Sequence, residues 1–341
     1  MKKKSKLLKI SVICLSVFLL SGCTSYIKGA DNKTVKNEHT GQNLTAHILC
    51  QPEDGTTIEA YEKTKEELIE KYQKQLENKE ITQSKYDSLV SKITDITKLP
   101  KCSEFSITSG GYQGVWSTIF VKPLAWVLIK IGELFGNYGI SVIFTTLLIR
   151  LITMPFTKKT ALQSENMKKA KPELDRLEKK YANKTDQQSQ IQKSQEMMLI
   201  YKKYNINPMS GCLFAFIQIP LFFAFYDALN LLPVIFERTF LKVFQLGTTP
   251  IMALQNGKWY YLIVVVLVGI ASYFSFKLNS TASMGEEQAQ QMKTMSNVSI
   301  AMITLFSFAT STGIALYWIT NSTFTILQNL YVKRSIKDAR S

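Results

Sequence analysis

Residues 138–156 read YGISVIFTTLLIRLITMPF, and this stretch decides the fold class. A helix of this length is about 28 Å long at 1.5 Å per residue, which is enough to cross the hydrocarbon core of a bilayer. Its one charged residue, Arg150, lies about 9 Å of helix before Phe156. An arginine at the centre of a span costs about 2.5–3.5 kcal/mol. The charge therefore needs a physical explanation.

Two explanations fit the residues alone. A long arginine side chain can extend to the headgroups from this depth. Alternatively, Arg150 faces a wet cavity, because Thr146 and Thr153 share its helix face and other predicted spans carry polar residues too. The last span has a polar stripe at helical spacing, formed by Tyr317, Asn321, Thr325 and Gln328. Such stripes also occur where helices only pack together, so both interpretations stay open at this point.

Further apolar stretches complete the predicted architecture. Residues 209–232 and 259–277 are each long enough to span, 297–332 is long enough for two spans joined by a turn, and 278–296 reads as a polar loop. Residues 114–136 are apolar but interrupted by charges, which is typical of an amphipathic helix at a membrane interface, with Trp116 and Trp126 at the headgroups. The sequence predicts an all-α polytopic membrane protein with five transmembrane helices, this interfacial helix, a cytoplasmic helical hairpin and an N-terminal extracytoplasmic helical region.

The distribution of charge predicts the orientation. The net charge of +15 is concentrated around the apolar stretches, a pattern that favours the inner face of a membrane over a nucleic-acid-binding surface. With residues 157–208 inside, the inner segments 157–208, 277–296 and 333–341 hold 12, 2 and 4 Lys and Arg, while the outer connection 233–258 holds three. The basic segment 157–208 has helical patterning on both sides of a break at ANKTDQQ, so we expect a cytoplasmic helical hairpin there.

The N-terminus predicts export and a lipid anchor. Five lysines precede an apolar stretch, residues 10–20, that is too short to be an ordinary span. The following Leu20-Ser21-Gly22-Cys23 resembles a bacterial lipobox. Residues 1–22 are therefore predicted to be a signal peptide, with Cys23 as the lipidated first residue of the mature chain, outside the cytoplasmic membrane.

Residues 23–113 are predicted to form a lipid-anchored extracytoplasmic region. We expect residues 24–58 to be a loose tether and residues 59–98, with two helical stripes and a polar break near 78–82, to be a helical hairpin. Cys50 and Cys102 bracket this hairpin and would either pair as a disulfide or remain free thiols. His39 and His47 have no neighbours that suggest a metal site, and both are expected to be exposed.

Three segments in order carry a resemblance to a known family. GNYGISVIFTTLLIRLITMPFTKK, NPMSGCLFAFIQIPLFFAFYDAL and GIALYWITNSTFTILQNLYVKR, with the basic insertion after the first, resemble the YidC family of membrane protein insertases. The resemblance covers about residues 114–335. The lipobox is similar to that of Gram-positive members. Two features depart from the family: residues 310–312 read Thr-Ser-Thr where a proline is usual, and residues 24–113 match no part of it.

The resemblance implies a five-span core at residues 137–335, a cytoplasmic tail at 336–341, and a hydrophilic groove open to the cytoplasm and to lipid. Arg150 matches the groove arginine, Thr146, Gln218 and Trp318 match other groove positions, and Tyr317 joins them through the polar stripe. The implied function is an insertase and not an enzyme, which moves short hydrophilic tails across the membrane and releases apolar segments into lipid. The implied partners are nascent membrane proteins, the ribosome, the Sec translocon and membrane lipids, and not DNA.

Two other classes of protein are weighed against this one. A channel or small-molecule transporter would use Arg150 as an anion site, but the inverted repeat typical of many transporters is not recognisable in the sequence. A lipoprotein sensor would use the spans as anchors only, which does not explain polar stripes in several of them. No phosphate-binding loop or metal-ligand cluster is recognisable, so no cofactor or metal is expected.

Overall fold

The computed structural model describes residues 25–184, 186–207, 210–279 and 286–338, most of them helical. The predicted signal peptide and the lipidation site Cys23 lie outside the described residues. The chain divides into two compact units. Unit 1 comprises residues up to 145 together with 220–264 and 308–317, and unit 2 comprises residues 146–219, 265–307 and 318–341.

Residues 25–113, which we call the N-terminal module, contain the predicted helical hairpin. Helix α1 (Gly55–Glu77) begins at Asp54, whose carboxylate accepts a hydrogen bond from the backbone N–H of Thr57. Helix α2 (Gln83–Val90) follows after the break, and the two helices pack together. The hairpin and its break therefore lie where the helical periodicity indicated.

The expectation of a loose tether over residues 24–58 is wrong. Isolated antiparallel bridges join Tyr26 to Thr45, Lys28 to Thr34 and Lys36 to Asn43. They place Leu44 and Ile48 against α1 and the segment after α2, where they form a small core with Tyr61 and Ile96. This core could not be predicted from the sequence. The segment is short and polar, and antiparallel pairing between distant residues leaves no periodic pattern in so few positions.

The ends of the module are joined covalently. Cys50 and Cys102 form a disulfide bond in the structure, and both cysteines are buried. The side-chain amide of Gln51 also donates to the carbonyl oxygen of Leu99 at 2.7 Å. The strand-like N-terminal segment and the end of the hairpin are thereby held together.

The amphipathic segment after the module begins with a π-helical turn, Ser117–Val121, and continues as α3 (Lys122–Phe135). Gly136, with φ of 61°, ends the helix in the left-handed region that glycine adopts at low cost. Trp116 is buried, and its indole donates to Asp227 Oδ2 at 2.9 Å. Lys122 is fully buried, and its ammonium donates to the carbonyl oxygen of Ser109 at 2.7 Å and to that of Gly111.

The rest of the chain is mainly long helices. In order, its elements are α4 (Tyr138–Tyr181), α5 (Gln187–Lys203), α6 (Ser210–Asn230), α7 (Pro233–Phe236), strands β1 (Thr239–Phe240) and β2 (Phe244–Gln245), α8 (Pro250–Gln255), α9 (Leu262–Asn279), α10 (Glu286–Ala309) and α11 (Thr312–Asp338). The polar loop predicted over 278–296 is wrong for its second half, which is the first part of α10. Its Gln, Glu and Lys residues are good helix formers as well as polar ones.

Long helices occupy each of the five predicted spans, but they differ in apolar character. Among the described residues, two helices are long and apolar enough to cross a membrane, one within Tyr138–Tyr181 and one at Trp259–Leu278. The predicted number of five spans and their orientation stay predictions.

The basic hairpin (residues 157–207) joins the second part of α4 to α5. Met167, Ala170, Leu174, Tyr201 and Ile206 form its buried core. Across the hairpin, Lys180 Nζ lies 2.6 Å from Glu196 Oε1, and Lys203 pairs with Glu173. The break between the helices, residues 182–186, falls within the predicted one.

Candidate functional site

The two polar stripes singled out in the sequence contact each other in unit 2. One lies on α4 and includes Arg150, and the other lies on α11 and includes Asn321 and Gln328. Hydrogen bonds between the two helices join the stripes at two levels, described below. Sequence periodicity placed each stripe on one face of its helix, and the structure brings the two faces together.

Arg150 lies at the first level. Its side chain is only 2% exposed, and its Nε donates to Asn321 Oδ1 at 2.6 Å. The hydroxyl of Thr325 donates to the carbonyl oxygen of Asn321 at 2.9 Å, one turn further along α11. An arginine buried to this extent requires polar neighbours, since its charged form is retained at any physiological pH. Asn321 supplies one of them without altering the net charge.

The second level lies two turns further along α4. Gln328 Nε2 donates to Thr157 Oγ1 at 2.7 Å, and both side chains are buried. The same amide also lies 3.5 Å from the carbonyl oxygen of Met154. An amide that joins two helices in this way satisfies polar groups that would otherwise be costly to bury.

The other residues of the predicted groove have different surroundings. Thr146 is 1% exposed and lies one turn before Arg150 on α4. Gln218 lies on α6 and is half-buried. The indole of Trp318 donates to Ser272 Oγ of α9 at 3.0 Å, so it joins α11 to a third helix.

Tyr317 packs among aromatic rings. It is buried and stacks on Phe225 with ring centroids 4.3 Å apart. Its neighbours are aromatic residues of α6, including Phe222. The sequence pattern placed it on the stripe because it lies four residues before Asn321, and its part in a groove stays a prediction.

Sequence reasoning missed two polar contacts. Thr157 was assigned to the basic hairpin although its hydroxyl belongs to the α4 stripe, and its position seven residues after Arg150 was the available signal. The bond from Trp116 to Asp227 joins residues 111 positions apart, and no local pattern could have indicated it. Among the described residues, no group of three or more metal-ligating side chains comes together.

Together, the long apolar helices and the buried arginine between polar helix faces define a helical membrane protein with polar side chains inside its helical part. Comparison with known proteins gives its family. A family model described as 60Kd inner membrane protein matches residues 130–339. The membrane protein insertase YidC of Oceanobacillus iheyensis is 32% identical over 257 residues, which cover 73% of this chain and 96% of that protein.

One further relative agrees with this family, and one solved structure is reported beside it. The membrane protein insertase YidC 2 of Bacillus anthracis is 35% identical over 221 residues, or 64% of this chain and 82% of that protein. A solved structure described as an active YidC insertase with its first transmembrane domain resolved has 19% identity and a TM-score of 0.42, over 76% of this chain. The matched part is 52% of that chain, so this protein spans about half of it.

The chain belongs to the YidC family of membrane protein insertases. The predicted family is thereby confirmed, and so is the prediction that the protein is an insertase relative and not an enzyme. The relatives are bacterial membrane proteins, in agreement with the apolar helices of this chain.

Proposed function

We propose that this protein inserts substrate proteins into the bacterial cytoplasmic membrane through a hydrophilic groove built around Arg150. A short acidic tail of the substrate is attracted to the guanidinium, and its polar groups are solvated in the groove while they cross. The apolar segment of the substrate then enters lipid, and its burial at about 25 cal/mol per Å² supplies the driving force. The observation that supports the proposal is that the polar faces of α4 and α11 meet around Arg150, whose Nε donates to Asn321 Oδ1.

Charge is the property that this role requires. Arg150→Lys keeps the positive charge and is expected to keep most of the insertion of a substrate with a short acidic tail. Arg150→Ala removes the charge and is expected to lose most of it. A substrate identical except for a neutral tail is the matched control, and its insertion should change little in either variant. Equal insertion of both substrates by Arg150→Ala would overturn the proposal.

Water access to the groove has a separate test. In Arg150→Cys, a membrane-impermeant thiol reagent applied from the cytoplasmic side should modify the new cysteine, because only a hydrated thiol ionises readily. Leu151→Cys is the matched control at the same depth, since Leu151 is 59% exposed on the apolar face of α4. Mass spectrometry of the labelled peptides separates these sites from the native cysteines. Labelling of neither variant would mean that Arg150 has no aqueous route from the cytoplasm.

The proposed topology has residues 23–113 outside, the basic hairpin and C-terminus inside, and Cys23 carrying the lipid anchor. The lipobox-like sequence and the charge distribution support it. Cys23→Ser should block both lipid labelling and removal of residues 1–22. Cleavage of that variant between Gly22 and residue 23 would exclude a lipoprotein signal.

The basic hairpin is proposed to receive substrates, either directly or from a ribosome or the Sec translocon. Twelve Lys and Arg against six Asp and Glu give residues 157–208 an attraction for ribosomal RNA and anionic lipids. Removal of its middle part should weaken insertion while the long helices remain protected from protease. Full insertion activity after this deletion would leave the hairpin as a solvated surface feature only.

A further inference from the structure

Asn321 is the side chain on α11 that accepts a hydrogen bond from the Nε of Arg150. A bond at Nε helps to orient the whole guanidinium, because the group is planar and its five N–H donors have a fixed geometry. The amide oxygen is neutral, so it orients the group and leaves the net charge unchanged. A carboxylate at the same place would accept the same bond but would also neutralise the charge.

We propose that Asn321 is a positioning residue for Arg150 and sets the preference of the groove for acidic substrate tails. This inference rests on the proposed function. The residue at position 321 must be a neutral hydrogen-bond acceptor, because both the orientation and the positive charge of the guanidinium must be maintained. Polarity alone at this position is not sufficient.

The test uses two substrates that differ only in an acidic or a neutral tail, and it measures the ratio of their insertion rates. Asn321→Asp has nearly the same shape as asparagine but adds a negative charge beside Arg150. A hydrogen bond between charged groups is stronger than a neutral one and would neutralise Arg150, so the ratio should fall about tenfold or more. Asn321→Ala keeps the charge but loses the acceptor, and its ratio should fall severalfold.

Lys333→Gln is the matched control. It changes the net charge of the same helix by the same amount, at an exposed position more than three turns beyond Asn321. Its ratio should remain close to that of the unmodified protein. The inference would be overturned if Asn321→Asp and Asn321→Ala both gave the same ratio as this control while Arg150→Ala still lowered the ratio. The proposed function would then remain. An unchanged ratio in Arg150→Ala would instead overturn the proposed function itself.

A different observation concerns the N-terminal module, which docks on the connection between α6 and α9. The backbone N–H of Leu49 donates to Leu231 O at 2.9 Å, and Thr45 Oγ1 donates to Asn230 O at 2.9 Å. The hydroxyls of Tyr26 and Tyr226 lie 2.7 Å apart. These bonds fix the module to the end of α6.

The same connection also contacts the turn between α10 and α11. Thr249 N–H donates to Thr40 O of the module at 3.3 Å, and the preceding carbonyl, Thr248 O, accepts from both the N–H and the hydroxyl of Thr312, at 3.0 and 2.8 Å. Gly313 N–H donates to Leu246 O at 2.8 Å. Module, connection and turn are therefore joined in series by backbone groups.

We infer that the N-terminal module acts as an intramolecular brace that holds the α10–α11 turn through residues 246–249. Thr312 is central to this arrangement, because a proline at this position would have neither of the two donors that bind Thr248 O. The turn and the N-terminal module are thereby parts of one connected arrangement.

Hydrogen exchange on the full-length protein tests the brace. Thr45→Val with Tyr26→Phe removes two of the contacts between the module and α6 without altering residues 246–313. Exchange is expected to increase at residues 230–249 and also at Thr312 and Gly313. Tyr72→Phe with Thr82→Ser, on the α1–α2 hairpin, is a control that should leave both regions unchanged. Faster exchange at 230–249 with unchanged exchange at Thr312 and Gly313 would overturn the inference, and so would unchanged exchange at both.

Discussion

The protein contains two helical hairpins that the same sequence pattern predicted and that are stabilised by different forces. The hairpin of the N-terminal module, α1 and α2, shares a core with an antiparallel segment and is closed by Cys50–Cys102. The basic hairpin has its own small core and exposed ion pairs, and it leaves Met198 and Leu199 more than half exposed. One hairpin is fixed to its surroundings, and the other retains uncovered apolar and charged surface.

Helical periodicity in the sequence therefore indicates that a hairpin is present but does not indicate its role. A covalently closed and docked hairpin suits a brace, which must not move. A hairpin with screened surface charges and exposed apolar side chains suits a receiving surface, which must accept different partners. The following predictions test whether the two hairpins are as different as their contacts indicate.

The largest effect is expected from the disulfide. In the chain-entropy model, a bridge that spans 52 residues stabilises the folded module by about 4 kcal/mol. Cys50→Ser with Cys102→Ser should therefore make the module protease-sensitive, while the basic hairpin retains its protection. Limited proteolysis followed by mass spectrometry measures both in one sample. Equal protection of the module with and without the bridge would contradict this assignment.

The second effect concerns the core of the basic hairpin. Leu174 is 2% exposed in that core, and Leu174→Ala should destabilise the hairpin by about 3 kcal/mol, a usual cost for a buried leucine. Hydrogen exchange of α5 should increase while that of the module remains the same. Ile191→Ala, at an exposed position of the same hairpin, is the control and should change exchange little. Coupled loss of protection in both hairpins would remove the distinction between them.

A smaller effect is expected from salt. The ion pair of Lys180 with Glu196 is exposed, so its contribution should be small and should weaken when added salt screens it. Glu196→Gln should make exchange in the basic hairpin slightly faster at low salt and have no effect at high salt. Exchange in the core of the N-terminal module should depend little on salt in both proteins. A salt-independent effect of Glu196→Gln would mean that the hydrogen bond from the Tyr181 hydroxyl to Glu196, and not charge, is involved.

The smallest expected effect concerns pH. Acidification should change the docking of the N-terminal module and the stability of the basic hairpin differently. Burial raises the pKa of Glu237, whose carboxylate accepts the backbone N–H of Glu53, and the nearby charges of Asp54 and Glu53 act in the same direction. The folded state then binds this proton more tightly than the unfolded state, so docking of the module should strengthen as pH falls from 7 towards 4.5. The pKa of Asp95 is about 2, held low first by the Thr97 hydroxyl, so its contribution is lost only at more acidic pH.

The basic hairpin should respond in the opposite sense. The pKa of Glu173 is lowered first by its hydrogen bond to Lys203, and that of Glu196 first by its bond to Lys180. Their stabilising effect is complete above pH 4.5 and is lost as pH falls through the lowered values. Hydrogen exchange between pH 7 and 5, corrected for the intrinsic rate, should therefore slow in residues 230–249 and stay constant in α5. Glu237→Gln should abolish the first effect.

Much of the helical architecture could be predicted because helices repeat every 3.6 residues. Both hairpins and the polar faces of α4 and α11 follow from that spacing. The fold of residues 25–58 could not be predicted in this way, since its bridges pair residues such as Tyr26 and Thr45 across a short polar sequence. Contacts at long range, such as Trp116 with Asp227 or Thr312 with Thr248, depend on which helices are neighbours. The stacking of Tyr317 on Phe225 is another contact that the polar spacing of α11 did not indicate.

The bond between Cys50 and Cys102 has a further consequence for a protein of this kind. Disulfides form in oxidising compartments and are rare in the reducing cytosol. A copy of the chain inserted with residues 25–113 on the cytosolic side would keep two thiols, lack the covalent closure and present an unstable module to cytosolic proteases. Under the proposed topology, the oxidation state of this one cysteine pair therefore distinguishes molecules in the proposed orientation from inverted ones.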